Sequence, residues 1–169
     1  VTFASSVTGT VALTSGELVI KKDLTIQARR AQLLAISGNP SNPAFRTSNS
    51  VVTIFGLTIT NGRAFGPEYP TNSGGGIYNY RSTLTVSNCI LGGNSAYYGG
   101  GIYNDGNNSG NSTLKVIAST LSSNSAVYGG GIYNDGFVGR ATSTVSVCTL
   151  SGNTADAGLG GAVYNTGNA

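Results

Sequence analysis

Apolar and polar residues alternate along this chain in short runs, and the runs recur. In residues 84–86, Leu-Thr-Val, the outer positions are apolar and the middle one is polar. In residues 76–79, Gly-Ile-Tyr-Asn, an aliphatic residue alternates with an aromatic one. A period of two predicts strands rather than helices. Gly, Ser and Asn fill the gaps between the runs, and the gaps are too short for helical crossovers.

The motif GGGIYN occurs at residues 74–79, 99–104 and 129–134, with an altered copy, GGAVYN, at 160–165. Ile77, Ile102, Ile132 and Val163 are thus separated by 25, 30 and 31 residues. A second block follows each complete copy: STLTVSNCILGGNSA from Ser82, STLKVIASTLSSNSA from Ser112 and ATSTVSVCTLSGNTA from Ala141. The length differences fall between the blocks, in DGNNSGN and DGFVGR, as loops on one edge of a solenoid would. Residues 52–64 align without gaps on residues 84–96, and LVI from Leu18, LTI from Leu24 and GTVAL from Gly9 mark an earlier coil. This pattern predicts an all-β chain, a right-handed parallel β-helix (β-solenoid) of roughly five coils with three short strands per coil. Coils stack at about 4.8 Å, and the hand follows from the rule for parallel connections. One domain is expected over 1–169, with irregular N-terminal coils in 1–72 and regular repeats in 73–169. Pro40, Pro43, Pro67 and Pro70 lie in the irregular part and mark turns, because proline lacks a ladder donor.

Stacking puts equivalent residues in columns. Ile77, Ile102, Ile132 and Val163 form one inward column, Leu57, Cys89, Ser119 and Cys148 a second, and Ile59, Leu91, Leu121 and Leu150 a third. Ala64, Ala96, Ala126 and Ala155 supply a small inward residue at a corner. Asn79, Asn104, Asn134 and Asn165 form a structural ladder of stacked amides, and Asn94, Asn124 and Asn153 a second one. Cys89 and Cys148 lie two coils, about 9.6 Å, apart, beyond the roughly 7 Å that a disulfide spans between Cα atoms. Both are expected as buried free thiols. Tyr78, Tyr103, Tyr133 and Tyr164 alternate with the inward column and so form an outward aromatic strip, with Tyr98 and Tyr128 as a shorter pair. Three roles are open to the strip: a structural ladder, a lateral contact with another subunit, or a platform for glycans. On this reading Tyr103→Ala leaves the fold intact, whereas Ile102→Asp buries a charge and unfolds the coil.

Composition narrows the chemistry. Charged residues make up 9% of the chain, against about 25% in an average soluble protein. The surface must be coated with hydroxyls and amides or covered in an assembly. The formal charge of +3 is scattered apart from Lys21–Lys22 and Arg29–Arg30, so no basic face for nucleic acid is expected. No apolar run is long enough for membrane insertion. The chain has no His, which removes the commonest general base and metal ligand. Asp105 and Asp135 share a column, but each sits in an Asn-Asp-Gly turn and is expected as a turn residue, with a weak Ca²⁺ ligand as the lesser alternative. Arg81 and Arg140, in the same loop region, could pair with them but are expected as solvated charges. No catalytic residue, metal or cofactor is expected. Asn107 and Asn111 begin N-x-S/T sequons. The chain lacks Met, so Val1 is expected to be a processed N-terminus.

VTGTVALTSGELVIKKDLTIQ (7–27), VVTIFGLTITNGRA (51–64) and the GGGIYN, STLTV and GNSA repeats resemble the bacterial right-handed β-helix repeat proteins of the pectin-lyase-like superfamily. The GG-I and L-x-x-N elements are similar to the repeats of polymorphic outer-membrane autotransporters. Ala-Arg-Arg-Ala at 28–31 departs from the Gly-Pro-Gly-type turn common in the family. The resemblance implies the fold and a secreted or cell-surface location. The superfamily also contains polysaccharide lyases and hydrolases, whose clustered carboxylates this chain does not show. The expectation is therefore a non-enzymatic extracellular structural protein, a homo-oligomer self-assembling head to tail into a filament or matrix. The alternative is an adhesin-type or carbohydrate-binding module for glycans, with a lyase or hydrolase third. Both ends are expected to offer similar bare edges, with residues 1–6 adding a strand to the neighbour.

Overall fold

A computed structural model describes residues 1–4, 6–38, 42–107 and 109–167. The turn expected at Pro40 lies outside the described residues. The described chain is all β-strand and turn, a parallel β-solenoid of about five turns. Four sheets run along the stack rather than three. The first face holds Leu24–Gln27, Val51–Phe55, Thr83–Ser87, Asn111–Ile117 and Arg140–Ser146. The second holds Gly9–Ala12, Leu34–Ser37, Thr58–Thr60, Ile90–Gly92, Thr120–Ser122 and Thr149–Ser151. The third is the addition: Arg63–Ala64, Ser95–Tyr98, Ser125–Tyr128 and Thr154–Leu159. Its alanines were expected at a bare corner. Their small side chains fill the narrow interior there, and the residues beside them stay extended and pair, Ser95 with Ser125 and Tyr98 with Tyr128. The fourth face holds Leu18–Ile20, Phe45–Ser48, Ile77–Tyr80, Ile102–Asp105, Ile132–Gly136 and Val163–Gly167.

The register puts the repeat residues in their columns. Ile77, Ile102, Ile132 and Val163 pair in succession, as do Ile59, Leu91, Leu121 and Leu150. Leu84 pairs with Val52 and Leu114, and Val86 with Ile54 and Val116. These side chains form one continuous core from Leu13 to Ile132. Burying each fully is worth about 1.5–3 kcal/mol. Cys89 and Cys148 are free. Each thiol donates to a backbone carbonyl two residues back, Ser87 at 3.2 Å and Ser146 at 3.1 Å. Cys89 is buried, but Cys148 is only half-buried because it lies in the last described coil.

Left-handed residues turn the corners. Gly56, Asn88, Ala118 and Val147, with φ of 70, 52, 47 and 55°, stack where the first face meets the second. Gly56 is required: a Cβ there would lie 2.5 Å from the Ala28 carbonyl oxygen. The Ala-Arg-Arg-Ala turn beneath it buries Ala28 and Ala31 and exposes both arginines. At the glycine corner, four successive N–H groups, from Gly99 to Ile102, donate to the carbonyls of Tyr128, Gly129, Gly130 and Gly131 in the next coil. The row from Gly129 to Ile132 repeats the pattern towards Leu159, Gly160, Gly161 and Ala162. Coils approach so closely here that a Cβ at Gly76 or Gly101 would lie 2.5 Å from the next coil's carbonyl oxygen.

The two ends are not alike, contrary to expectation. The Val1 ammonium donates to the Thr25 carbonyl at 2.6 Å, Thr2 bridges Gln27, and the Phe3 N–H donates to Gln27 at 3.1 Å. The N-terminal segment thus adds a strand to its own first face, not to a neighbour, and leaves Leu13, Ile20 and Ile26 buried. Ser5, within the segment expected to reach a neighbour, lies outside the described residues. At the far end Cys148, Leu150 and Val163 are only partly covered.

Candidate binding site: a tyrosine pocket beside a buried carboxylate pair

Period two sends Ile102 to the core and Tyr103 to the other side of the fourth face. There Tyr78, Tyr103, Tyr133 and Tyr164 run up the stack with centroid spacings of 5.6, 5.2 and 5.1 Å. They belong to a second cluster, separate from the aliphatic core. The expectation of a solvent-facing strip is corrected: Tyr78, Tyr103 and Tyr133 are buried, Tyr103 to 2% exposure, and Tyr164 is half-buried. The loop after Ala64, carrying Pro67 and Pro70, brings Tyr69 edge-on to Tyr78 and Tyr103 at 6.5 and 6.3 Å. From the third face, Tyr98 lies edge-on to Tyr133 at 5.4 Å and stacks on Tyr128 at 5.5 Å.

The strand period also sends Asp105 and Asp135, two residues beyond Tyr103 and Tyr133, into this layer. They pair in register. Both are buried: Asp105 has 0% exposure and Asp135 7%. Asp105 Oδ2 accepts from the hydroxyls of Tyr78, at 2.6 Å, and Tyr69, and its Oδ1 from the Asn107 N–H at 2.9 Å. Asp135 Oδ2 accepts from the Tyr103 hydroxyl and the Asn107 side-chain amide, both at 2.6 Å, and its Oδ1 from the Phe137 N–H at 3.0 Å. The turn chemistry expected of Asn-Asp-Gly is present in the two backbone bonds. The pairing open to Arg81 and Arg140 is not formed: among the described residues neither carboxylate has an ion pair. Burial pushes the Asp105 carboxyl up, against the Tyr69, Tyr78 and Asn107 hydrogen bonds that lower it. Burial first, and then the Asp105 charge, raises the Tyr78 and Tyr103 hydroxyls far above the ordinary tyrosine value.

Over Asp135 lies an open pocket of about 300 Å³. Its walls are Tyr69, Tyr98, Tyr103 and Tyr133, with Asn107 and Asp135 deeper and Phe137 and Val138 on the rim. The rim is apolar and exposed, Phe137 to 74%. Asn107, the first sequon residue, is held here: its Oδ1 accepts from the Val138 N–H at 3.2 Å.

The asparagine ladder lies on the same face. The Asn79 amide donates to Asn104 Oδ1 at 2.6 Å, the Asn104 amide to Asn134 Oδ1 at 2.5 Å, and the Thr47 hydroxyl to Asn79 Oδ1 at 2.6 Å. Asn165 is in register but exposed. In the second ladder Asn94 donates to Asn124 at 3.0 Å and Asn124 to Asn153 at 2.9 Å. Both ladders tie successive coils together, and none of their residues lines the pocket.

Two features escaped the sequence reading. Tyr69 stands outside the repeats, and nothing in the chain pairs it with the column. The carboxylates could have been placed, since Tyr103 and Asp105 differ by two positions in one strand and must share a side.

The family model for the Chlamydia polymorphic membrane protein repeat matches residues 147–166. That segment runs from the last first-to-second corner through the fourth GG motif. Among curated proteins and solved structures, nothing matches the chain.

Proposed function

We propose that this chain is a non-enzymatic β-solenoid scaffold displayed at a cell surface, in the manner of an adhesin, and that the tyrosine pocket is its binding site. The observation that carries the reading is the pocket itself: aromatic walls over the Asp135 carboxylate, built from two repeat loops and the Tyr69 loop. Repeat loops on one edge of a solenoid are its usual place for recognition, and a concavity with a few convergent polar groups is the usual form of a ligand site. The short match to a polymorphic membrane protein repeat supports the surface location. Neither carboxylate is free for acid–base work, because each accepts three hydrogen bonds. Antibodies against the folded chain test the reading on the cells that make it. Intact cells should label as strongly as permeabilised ones. Labelling that needs permeabilisation would overturn the surface assignment.

Head-to-tail assembly is the second reading. Its support is the C-terminal coil face, where partly covered Leu150 and Val163 offer a seat for one further coil, from a continuation of the chain or a second copy. The methyl of Ala162 opposes it. By the geometry at Gly76 and Gly101, a coil stacked there in the same register would place a carbonyl oxygen against that methyl. Electron microscopy of the concentrated chain separates filaments from single particles.

A further inference from the structure

We propose that the tyrosine pocket binds an alkylated ammonium group, of which choline is the simplest biological example. The inference rests on the pocket being a binding site, but not on where the protein is displayed.

Three observations lead to this chemistry. The first is charge. Asp135 lines the pocket and Asp105 lies beside it in register; both are nearly or fully buried, and among the described residues neither has an ion pair. A cationic guest answers that arrangement, and an anion or a neutral ligand does not.

The second is the state of the hydrogen-bonding groups. The hydroxyls of Tyr69, Tyr78 and Tyr103 are all given to the carboxylates. The Asn107 amide is given to Asp135, and its oxygen is taken by the Val138 N–H. Of the pocket's tyrosine walls only Tyr98 and Tyr133 keep a hydroxyl outside these bonds, and a sugar needs several free donors and acceptors for its hydroxyls. A primary amine needs unfilled acceptors for three N–H bonds. A quaternary ammonium needs neither, only a charge of opposite sign and ring faces within about 6 Å.

The third is a precedent within the chain. The protein's own cations already lie over aromatic rings on the upstream coil: Arg46 over Tyr78 at 5.1 Å and Arg81 over Tyr80 at 5.0 Å. One coil on, Tyr98, Tyr103 and Tyr133 have no such cation among the described residues. These are the rings that wall the pocket.

The test compares choline with its uncharged carbon isostere, 3,3-dimethylbutan-1-ol, by proton NMR titration of the folded chain. Ring currents should move the N-methyl signal upfield, and choline should bind at least tenfold more tightly than the isostere. Methylammonium should bind less tightly than choline. Tyr98→Leu keeps an apolar wall but removes a ring, and should weaken choline about tenfold, the scale of one cation–π contact. Tyr98→Phe should restore it. Tyr98 is half-buried at the pocket edge, and circular dichroism confirms that both variants fold. Phosphatidylcholine vesicles distinguish the source: co-sedimentation places the ammonium on a lipid, and choline binding without it places the group on a soluble or polymer-borne ligand. Equal affinity for choline and the isostere, or no upfield shift, overturns the proposal. Binding of neutral sugars with no response to choline also overturns it while leaving the scaffold reading intact.

Discussion

Tyr103 shows how one side chain ties the outer layer together. Its ring meets Tyr69, Tyr78, Tyr98 and Tyr133, and its hydroxyl holds Asp135. Tyr103→Ala should therefore cost about 3–5 kcal/mol, comparable with Ile102→Asp, and not leave the fold intact as an exposed strip would. Tyr103→Phe keeps the ring and loses one bond to a charged group, about 1.5–3 kcal/mol. Urea unfolding measures all three, and a Tyr103→Ala cost under about 0.5 kcal/mol, the range of a surface change, would mean the ring is solvated. The pH response has a defined sign. A hydroxyl raised by burial favours its neutral form in the folded state. Its contribution is complete below the ordinary tyrosine value of about 10 and is lost as pH rises above it. The raised Asp105 acts in the same sense at lower pH, its contribution present in acid and lost as pH rises through its folded value. Ultraviolet titration should show Tyr78 and Tyr103 ionising only as the chain unfolds, after the exposed tyrosines.

Among the elements, the glycine corner sets the spacing of the stack. Gly101→Ala would press a methyl onto the Gly131 carbonyl oxygen and should cost on the order of 3 kcal/mol. Ala162→Gly, at the same place in the last described coil, should cost no more than about 1 kcal/mol, the entropy of a glycine. Equal costs would mean the corner tolerates a side chain throughout. The repeat made this element legible: three GGG copies and one GGA are plain in the chain, and so are the columns they align. The third face was not legible, because one alanine flanked by serine and tyrosine reads equally as a corner and as a strand. Neither was the cover over the tyrosines. Alternation assigns a side chain to one side of a sheet, but whether that side is wet depends on loops such as the one carrying Tyr69, which belong to no repeat.

For the whole molecule, the unlike ends predict graded stability. In a stack each coil is held by its neighbours. The first coil is closed by residues 1–3, whereas Leu150 and Val163 are partly open. Hydrogen exchange should be slowest at Ile77, Leu91, Ile102 and Leu121 and fastest in residues 140–167. Exchange at Leu150 and Val163 as slow as at Ile102 would contradict the gradient. Titration with a bulky thiol reagent should follow it, with Cys148 reacting in the folded chain and Cys89, whose thiol is pushed up by burial, only on unfolding.

The aligned N–H groups of the glycine corner also make the stack an electrical object. Along ordinary strands successive peptide dipoles alternate and nearly cancel. At this corner Gly99 to Ile102 and Gly129 to Ile132 all point their N–H groups the same way, towards the later coil. Each peptide contributes about 3.5 D, so the moments add coil upon coil, as they do along an α-helix but in four parallel columns on one edge. The solenoid thus carries a lengthwise polarity, positive towards its last described coil and negative towards its first, and each added coil lengthens the dipole without adding a charged residue.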